Sequence, residues 1–138
     1  MPLPRLRPGV FLLAFISIPE YSVPMSKTQQ KTLIWLGNSL DAVKSFSVEA
    51  RKEAGHELGQ VQEGREPSDW KPMETVGAGV KEIRIKVETA YRVLYVAKFS
   101  GAVYVLHGFE KKTQKTPKAD IDLANERYRK LANERKKR

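Results

Sequence analysis

The chain has 138 residues, with 25 Lys+Arg against 16 Asp+Glu and a formal net charge of +9. That length fits one domain with a modest core, and 41% apolar with 30% charged residues fit neither a disordered chain nor an integral membrane protein. The lack of cysteine removes disulfides, thiolate metal sites and cysteine nucleophiles, and the basic balance points to a polyanion: nucleic acid, an anionic membrane or an acidic protein.

Residues 1–24 read differently from the rest. Pro2, Pro4, Pro8, Pro19 and Pro24 punctuate them, and Arg5 and Arg7 precede an apolar run from Val10 to Ile16. This has the shape of a signal peptide's basic and apolar regions, but the stretch from Ser17 to Pro24 lacks a small-residue cleavage pattern. The expectation is an upstream extension, with translation starting at Met25 and a domain over 25–138. An export signal and an ordered N-terminal arm are the alternatives. The charges of residues 1–24 are Arg5, Arg7 and Glu20 alone, so residues 25–138 keep +8.

Lys31 to Leu36 is short and apolar and stops at Gly37-Asn38, which predicts a first strand. Leu40, Val43 and Phe46 then recur at helical spacing, and Ser47 opens a second run through Ala50, Ala54, Leu58 and Val61. Two helices, about 39–46 and 48–62, should pack as a hairpin. His56 reads as surface, and Glu49, Glu53 and Glu57 as helix surface charge. Residues 64–72 read as loop. Three strands follow, over 81–87, 91–99 and 102–109, the last two joined by a two-residue turn at Ser100-Gly101. After a lysine-rich loop at 113–118, Ile121, Ala124, Tyr128 and Leu131 form the apolar stripe of a final helix, expected to be core. Helices and strands in runs suggest α+β with a mainly antiparallel sheet.

Hairpin registers decide which side chains share a face. With Glu88-Thr89-Ala90 as the first connection, Lys86 lies opposite Arg92 and Arg84 opposite Leu94. With the two-residue turn, Arg92 lies opposite Phe109 and Leu94 opposite His107. One face then gathers Arg84, Lys86, Arg92, His107 and Phe109. The other holds Ile83, Ile85, Val87, Tyr91, Val93, Tyr95, Tyr104 and Leu106. Two guanidiniums grip a phosphate and stabilise its pentavalent transition state. A histidine titrates near neutrality and moves protons. Phe109 offers a ring for base stacking, and Lys111, Lys112, Lys115 and Lys118 lie where a backbone would run. Taken singly, each of these residues is equally at home on a solvated sheet face or in a core. Their convergence is what suggests a site.

Asp69-Trp70-Lys71-Pro72-Met73, Val80-Lys81-Glu82-Ile83-Arg84-Ile85, Ala90-Tyr91-Arg92-Val93-Leu94-Tyr95, the run from Tyr104 to Thr116 and Asp120-Ile121-Asp122-Leu123-Ala124 closely resemble the phage-derived Gp49-like group of the RelE/HigB toxin superfamily. The resemblance covers about residues 29–132, and residues 1–24 have no place in it. It implies a small RelE-like fold: a mainly antiparallel four-stranded sheet, an N-terminal helical hairpin and a C-terminal helix. It also implies a cytoplasmic type II toxin that cleaves mRNA on the ribosome, without metal or other cofactor, through attack of the 2′-OH on the adjacent phosphate. The partner implied is a helix-turn-helix antitoxin, with the toxin a monomer alone and a hetero-oligomer when bound. Carried over by position, Arg92 matches the arginine at the scissile phosphate, and His107 the region that supplies a proton-transfer residue. Lys71, Arg84, Lys111 and Lys112 match RNA- or ribosome-binding positions. The catalytic set is thus Arg92, His107 and Arg84, and the RNA-binding set Lys71, Lys86, Phe109, Lys111, Lys112 and Lys115. The C-terminal tyrosine used by some relatives has no secure equivalent, since Tyr128 falls on the apolar stripe. A non-catalytic RNA- or DNA-binding protein of the same fold is the alternative.

Overall fold

The computed structural model describes residues 30–137, so the reading of residues 1–24 lies outside the described residues. The elements are β1 (Thr32–Trp35), α1 (Ser39–Lys44), α2 (Val48–Gln62), β2 (Trp70–Pro72), β3 (Val80–Lys86), β4 (Ala90–Val96), β5 (Ala102–Lys111) and α3 (Lys118–Lys136). They form an α+β fold around one five-stranded sheet in the order β1-β5-β4-β3-β2. Only β1, beside β5, is parallel to its neighbour.

Helices cover both faces of the sheet. On one face, α1 and α2 bury Val43, Phe46, Ala50, Ala54, Leu58 and Val61 against Ile83, Ile85, Tyr91, Val93 and Tyr95. Ser47 caps α2, its hydroxyl accepting from the Ala50 amide at 3.2 Å. Gly108 lets α1 approach: a Cβ there would lie 2.8 Å from Val43 Cγ2. On the other face, the predicted stripe of α3 packs on Leu94, Val96, Tyr104 and Leu106. Arg127 fastens this helix, donating to the Leu106 carbonyl at 2.8 Å and to Asn38 Oδ1 at 2.6 Å. Among the described residues no helix is long and apolar enough to cross a membrane.

Five expectations need correction. The sheet has five strands, because Trp70–Pro72, read as loop, pairs antiparallel with β3 as an edge strand. A three-residue edge tolerates Pro72, which a central strand would not. The β3–β4 hairpin is offset by two residues, with Arg84 opposite Arg92, Glu82 opposite Leu94 and Lys86 opposite Ala90. This register brings the Glu82 carboxylate to Arg92; the expected one would move Glu82 about 7 Å along the strand. An offset of two leaves every side chain on its original face.

The β4–β5 register is as expected at Arg92–Phe109 and Leu94–His107, but Tyr95 pairs with Val105, leaving Leu106 as a bulge. Alternation restarts there, so Tyr104 and Leu106 turn to the α3 face, and Val103 and Val105 take the α1–α2 face. The slip also replaces the two-residue turn by a longer connection between Val96 and Ala102, in which Gly101 adopts φ +86°. Finally, Glu57 is not surface charge. It is buried, and its carboxylate accepts from the Ser68 amide at 2.8 Å and hydroxyl at 2.9 Å, tying the 63–69 loop to α2.

Candidate nucleic-acid interface

Two rows of side chains cross the α3 face of the sheet. One runs Lys71 (β2), Glu82 (β3), Leu94 (β4), His107 (β5); the next runs Arg84, Arg92, Phe109. Alternation puts every one of these groups on the same side. α3 packs over Leu94 and the end of the face nearer Val96, and Asp120 in its first turn meets the rows at His107.

Glu82 is the centre of the arrangement. It is 0% exposed. Its Oε1 lies 3.6 Å from Arg92 Nε and 3.8 Å from Lys71 Nζ, and its Oε2 accepts from Thr116 Oγ1 at 3.4 Å. A carboxylate removed from water this fully is stable only beside opposite charge. Conversely, it lets cations gather that would otherwise repel. Arg92 is 7% exposed and donates from Nη1 to the Tyr91 carbonyl at 3.0 Å. Its Nε and Glu82 Oε1 are both buried without a hydrogen bond. Arg84, opposite Arg92, leans toward Asp69 at 3.9 Å.

Beside Arg92 a cleft of about 450 Å³ opens between the end of β4 and the loop after β5, lined by Ala90, Lys111, Lys112, Thr113 and Gln114. Lys111 titrates below the usual lysine range. Loss of water is the largest cause, then the positive field of Arg92, against which Glu82 pulls upward; Lys71 and Arg84 lower it further.

His107 and Phe109 stand one strand over. The histidine is 8% exposed; its Nε2 lies 2.7 Å from Asp120 Oδ1 at the start of α3, and its Nδ1 is buried without a partner. Its ring stacks on Phe109, with centroids 5.4 Å apart and 24° between planes. Phe109 is therefore backed by His107 and buried in the α3-side core, which leaves little of its ring for a base.

The structure thus brings together Lys71, Arg84, Arg92 and Lys111 around Glu82, with Lys112 in the cleft wall. His107 and Phe109 form an adjoining pair. Lys86 stands exposed at the hairpin end opposite Ala90, and Lys115 stands exposed in the turn closed by Thr113, whose hydroxyl donates to the Lys115 carbonyl at 2.6 Å. Three residues that sequence reasoning missed complete the site: Glu82, Thr116 and Asp120. For Glu82 a signal existed, since strict alternation over Glu82-Ile83-Arg84 puts its carboxylate on the cationic face. Among the described residues no three His, Asp or Glu side chains gather as a metal-binding group.

The family model described as Phage derived protein Gp49-like (DUF891) matches residues 41–129. No curated protein matches the chain. The matched stretch runs from α1 into α3 and takes in every residue of the two rows and the cleft. The chain belongs to this Gp49-like family, which is associated with the toxins of toxin–antitoxin systems.

Proposed function

We propose that the protein is the toxin of a type II toxin–antitoxin pair and a metal-independent endoribonuclease that cuts mRNA on the ribosome in the cytoplasm. The observation that carries this reading is the set of four cations, Lys71, Arg84, Arg92 and Lys111, gathered on one sheet face near the buried Glu82 carboxylate, with Arg92 and Lys111 lining an open cleft. A phosphate entering the cleft meets an excess of fixed positive charge, which is the condition for stabilising a phosphorane.

In this mechanism the RNA 2′-OH gives up its proton and its oxygen attacks the adjacent phosphorus. The bond to the 5′-oxygen breaks, and that oxygen takes up a proton. The products carry a 2′,3′-cyclic phosphate and a 5′-hydroxyl. Arg92 and Arg84 bear the charge of the phosphorane, and Lys71 adds to it. Lys111 and Lys112 hold the backbone, with Lys86 and Lys115 along its path. His107 moves a proton once its Nε2 turns from Asp120 toward the phosphate, and Phe109 supports the ring from behind. The partners are mRNA, the ribosome and a helix-turn-helix antitoxin, with the toxin monomeric until the antitoxin binds.

One observation favours a second reading, a basic protein of this fold that binds RNA or DNA without cutting it. Asp120 occupies His107 Nε2 and the core seals Nδ1, so neither ring nitrogen faces the cleft. Induced expression in a bacterium, with transcript ends mapped, separates the two. The proposal expects growth arrest and new 5′ ends inside coding regions. Normal growth with intact transcripts supports binding alone.

A further inference from the structure

The two edges of the sheet are built differently. β2 is three residues long and carries Lys71 and Pro72, and Lys81 Nζ lies 4.5 Å over the Trp70 ring. Short length, charge and proline are the usual devices that stop another chain from pairing with an edge. β1 is also short, at four residues, but it lacks the charge and the proline. It reads Thr32-Leu33-Ile34-Trp35 and runs on through Leu36, with no charge, proline or bulge, and its Leu, Ile and Trp side chains are only half-buried.

The backbone of β1 shows which groups point away from β5. Thr32 and Leu36 donate to the carbonyls of Gly101 and Val105, each at 3.0 Å, so these residues face β5. Alternation turns the N–H and C=O of Leu33 and Trp35 the other way. Lys31, next in that outward series, donates to the Gln62 carbonyl at 2.9 Å, and this closes only the start of the edge. Among the described residues no strand pairs with Leu33 or Trp35.

A groove of about 630 Å³ lies beside this edge, between β1 and α3, with Ile34, Leu36, Leu123 and Leu131 among its lining. Arg127 and Arg135 line it as well. They donate to Leu106, Asn38 and Tyr104, and neither has a carboxylate within salt-bridge distance among the described residues. Of the remaining lining charges, Glu126 pairs with Lys130 at 3.7 Å, leaving Glu134 as the one acidic group that opposes the two arginines.

We propose that the outer edge of β1 and this groove bind one extended segment of a partner protein, added to the sheet as a sixth strand. Outward N–H and C=O groups call for a polypeptide backbone. An apolar strip on both sides of the edge calls for apolar side chains, and the two arginines call for carboxylates among them. A nucleic acid would leave both the backbone groups and the apolar floor unused. Identifying this partner as the antitoxin rests on the toxin reading; the chemistry of the segment does not. The groove and the basic cleft share no lining residue, so the two can be tested apart.

The test uses the full chain, labelled with ¹⁵N, and a library of peptides of about ten residues that alternate Val, Ile or Leu with Glu or Asp. The binders are also made with N-methyl groups on the residues whose amides would face β1. The proposal expects selected peptides to slow hydrogen exchange at the Leu33 and Trp35 amides by about tenfold or more, and N-methylation or Arg135→Glu to weaken binding by about tenfold. A library without any peptide that protects these amides overturns it. So does equal binding by N-methylated peptides, or protection of the same amides by an RNA hairpin. Peptide binding without RNA cleavage would sink the endonuclease reading alone; RNA cleavage without peptide binding would sink this one alone.

Discussion

Glu82 sets the chemistry of the cleft, and it was the residue that sequence reasoning passed over. Alternation shows which face a strand residue occupies, but not what covers it. Glu82 is buried because Lys71 arrives on an edge strand too short to recognise and Thr116 closes over it from the loop after β5. The face of Arg84 and Arg92, by contrast, was legible, since it follows from strand period, whereas Lys111, expected just past the last strand, is its final residue. Replacing Glu82 by Gln keeps its shape and removes the counter-charge from Lys71 and Arg92. We expect a loss of about 1–3 kcal/mol in urea unfolding. Unchanged stability would mean that the cations do not depend on this carboxylate. Lys111 gives a second prediction at this scale. Its lowered pKa leaves more free amine at a given pH, whereas the hydrogen bond and charge of Asp122 push Lys118 upward. Lys111 should therefore be modified faster than Lys118 by an amine-reactive reagent, read by mass spectrometry, and RNA should protect it. Equal rates at the two lysines would contradict the lowered pKa that desolvation and the nearby cations give Lys111.

Among the elements, the helices and the order of the long strands were legible from hydrophobic period, while registers were only half so. The β3–β4 hairpin was misplaced by two residues, yet the shared face survived because side chains alternate with period two. The bulge at Leu106 was not readable. An apolar run such as Val103-Tyr104-Val105-Leu106 gives no alternation in which an extra residue would show. Its anchor, the bond from Arg127 to the Leu106 carbonyl, joins residues on separate elements. Gly108 makes the packing testable. A methyl group there would press on Val43 Cγ2 at 2.8 Å and Phe46 Cζ at 3.3 Å. Gly108→Ala should cost about 1–3 kcal/mol in urea unfolding, because α1 must move off the sheet. A neutral result would show that α1 is loosely seated.

Across the whole molecule, the surplus of positive charge has a definite place. Residues 25–138 carry +8; Lys71 and Arg92 flank the buried Glu82 carboxylate, Lys111 and Lys112 line the cleft with Arg92, and Arg84 stands beside Asp69. With the charges of Glu82 and Asp69 set against these five cations, about three net charges meet the phosphates, and log Kd for single-stranded RNA should change with log salt by a slope of about 2. Lys112→Ala should reduce that slope by about 0.7 with little effect on stability. A slope unchanged by this substitution would place RNA elsewhere on the molecule. The most direct measurement adds the chain, or its Arg92→Lys variant, to ribosomes programmed with an end-labelled mRNA, and then analyses fragments and end groups. Arg92→Lys keeps a positive charge for Glu82 but loses the fork that grips a phosphate. The account predicts fragments with 2′,3′-cyclic phosphate and 5′-hydroxyl ends from the unaltered chain, and a rate about 10²-fold lower or less from a folded Arg92→Lys. Intact mRNA with the unaltered chain, or equal cleavage by both proteins, would contradict it.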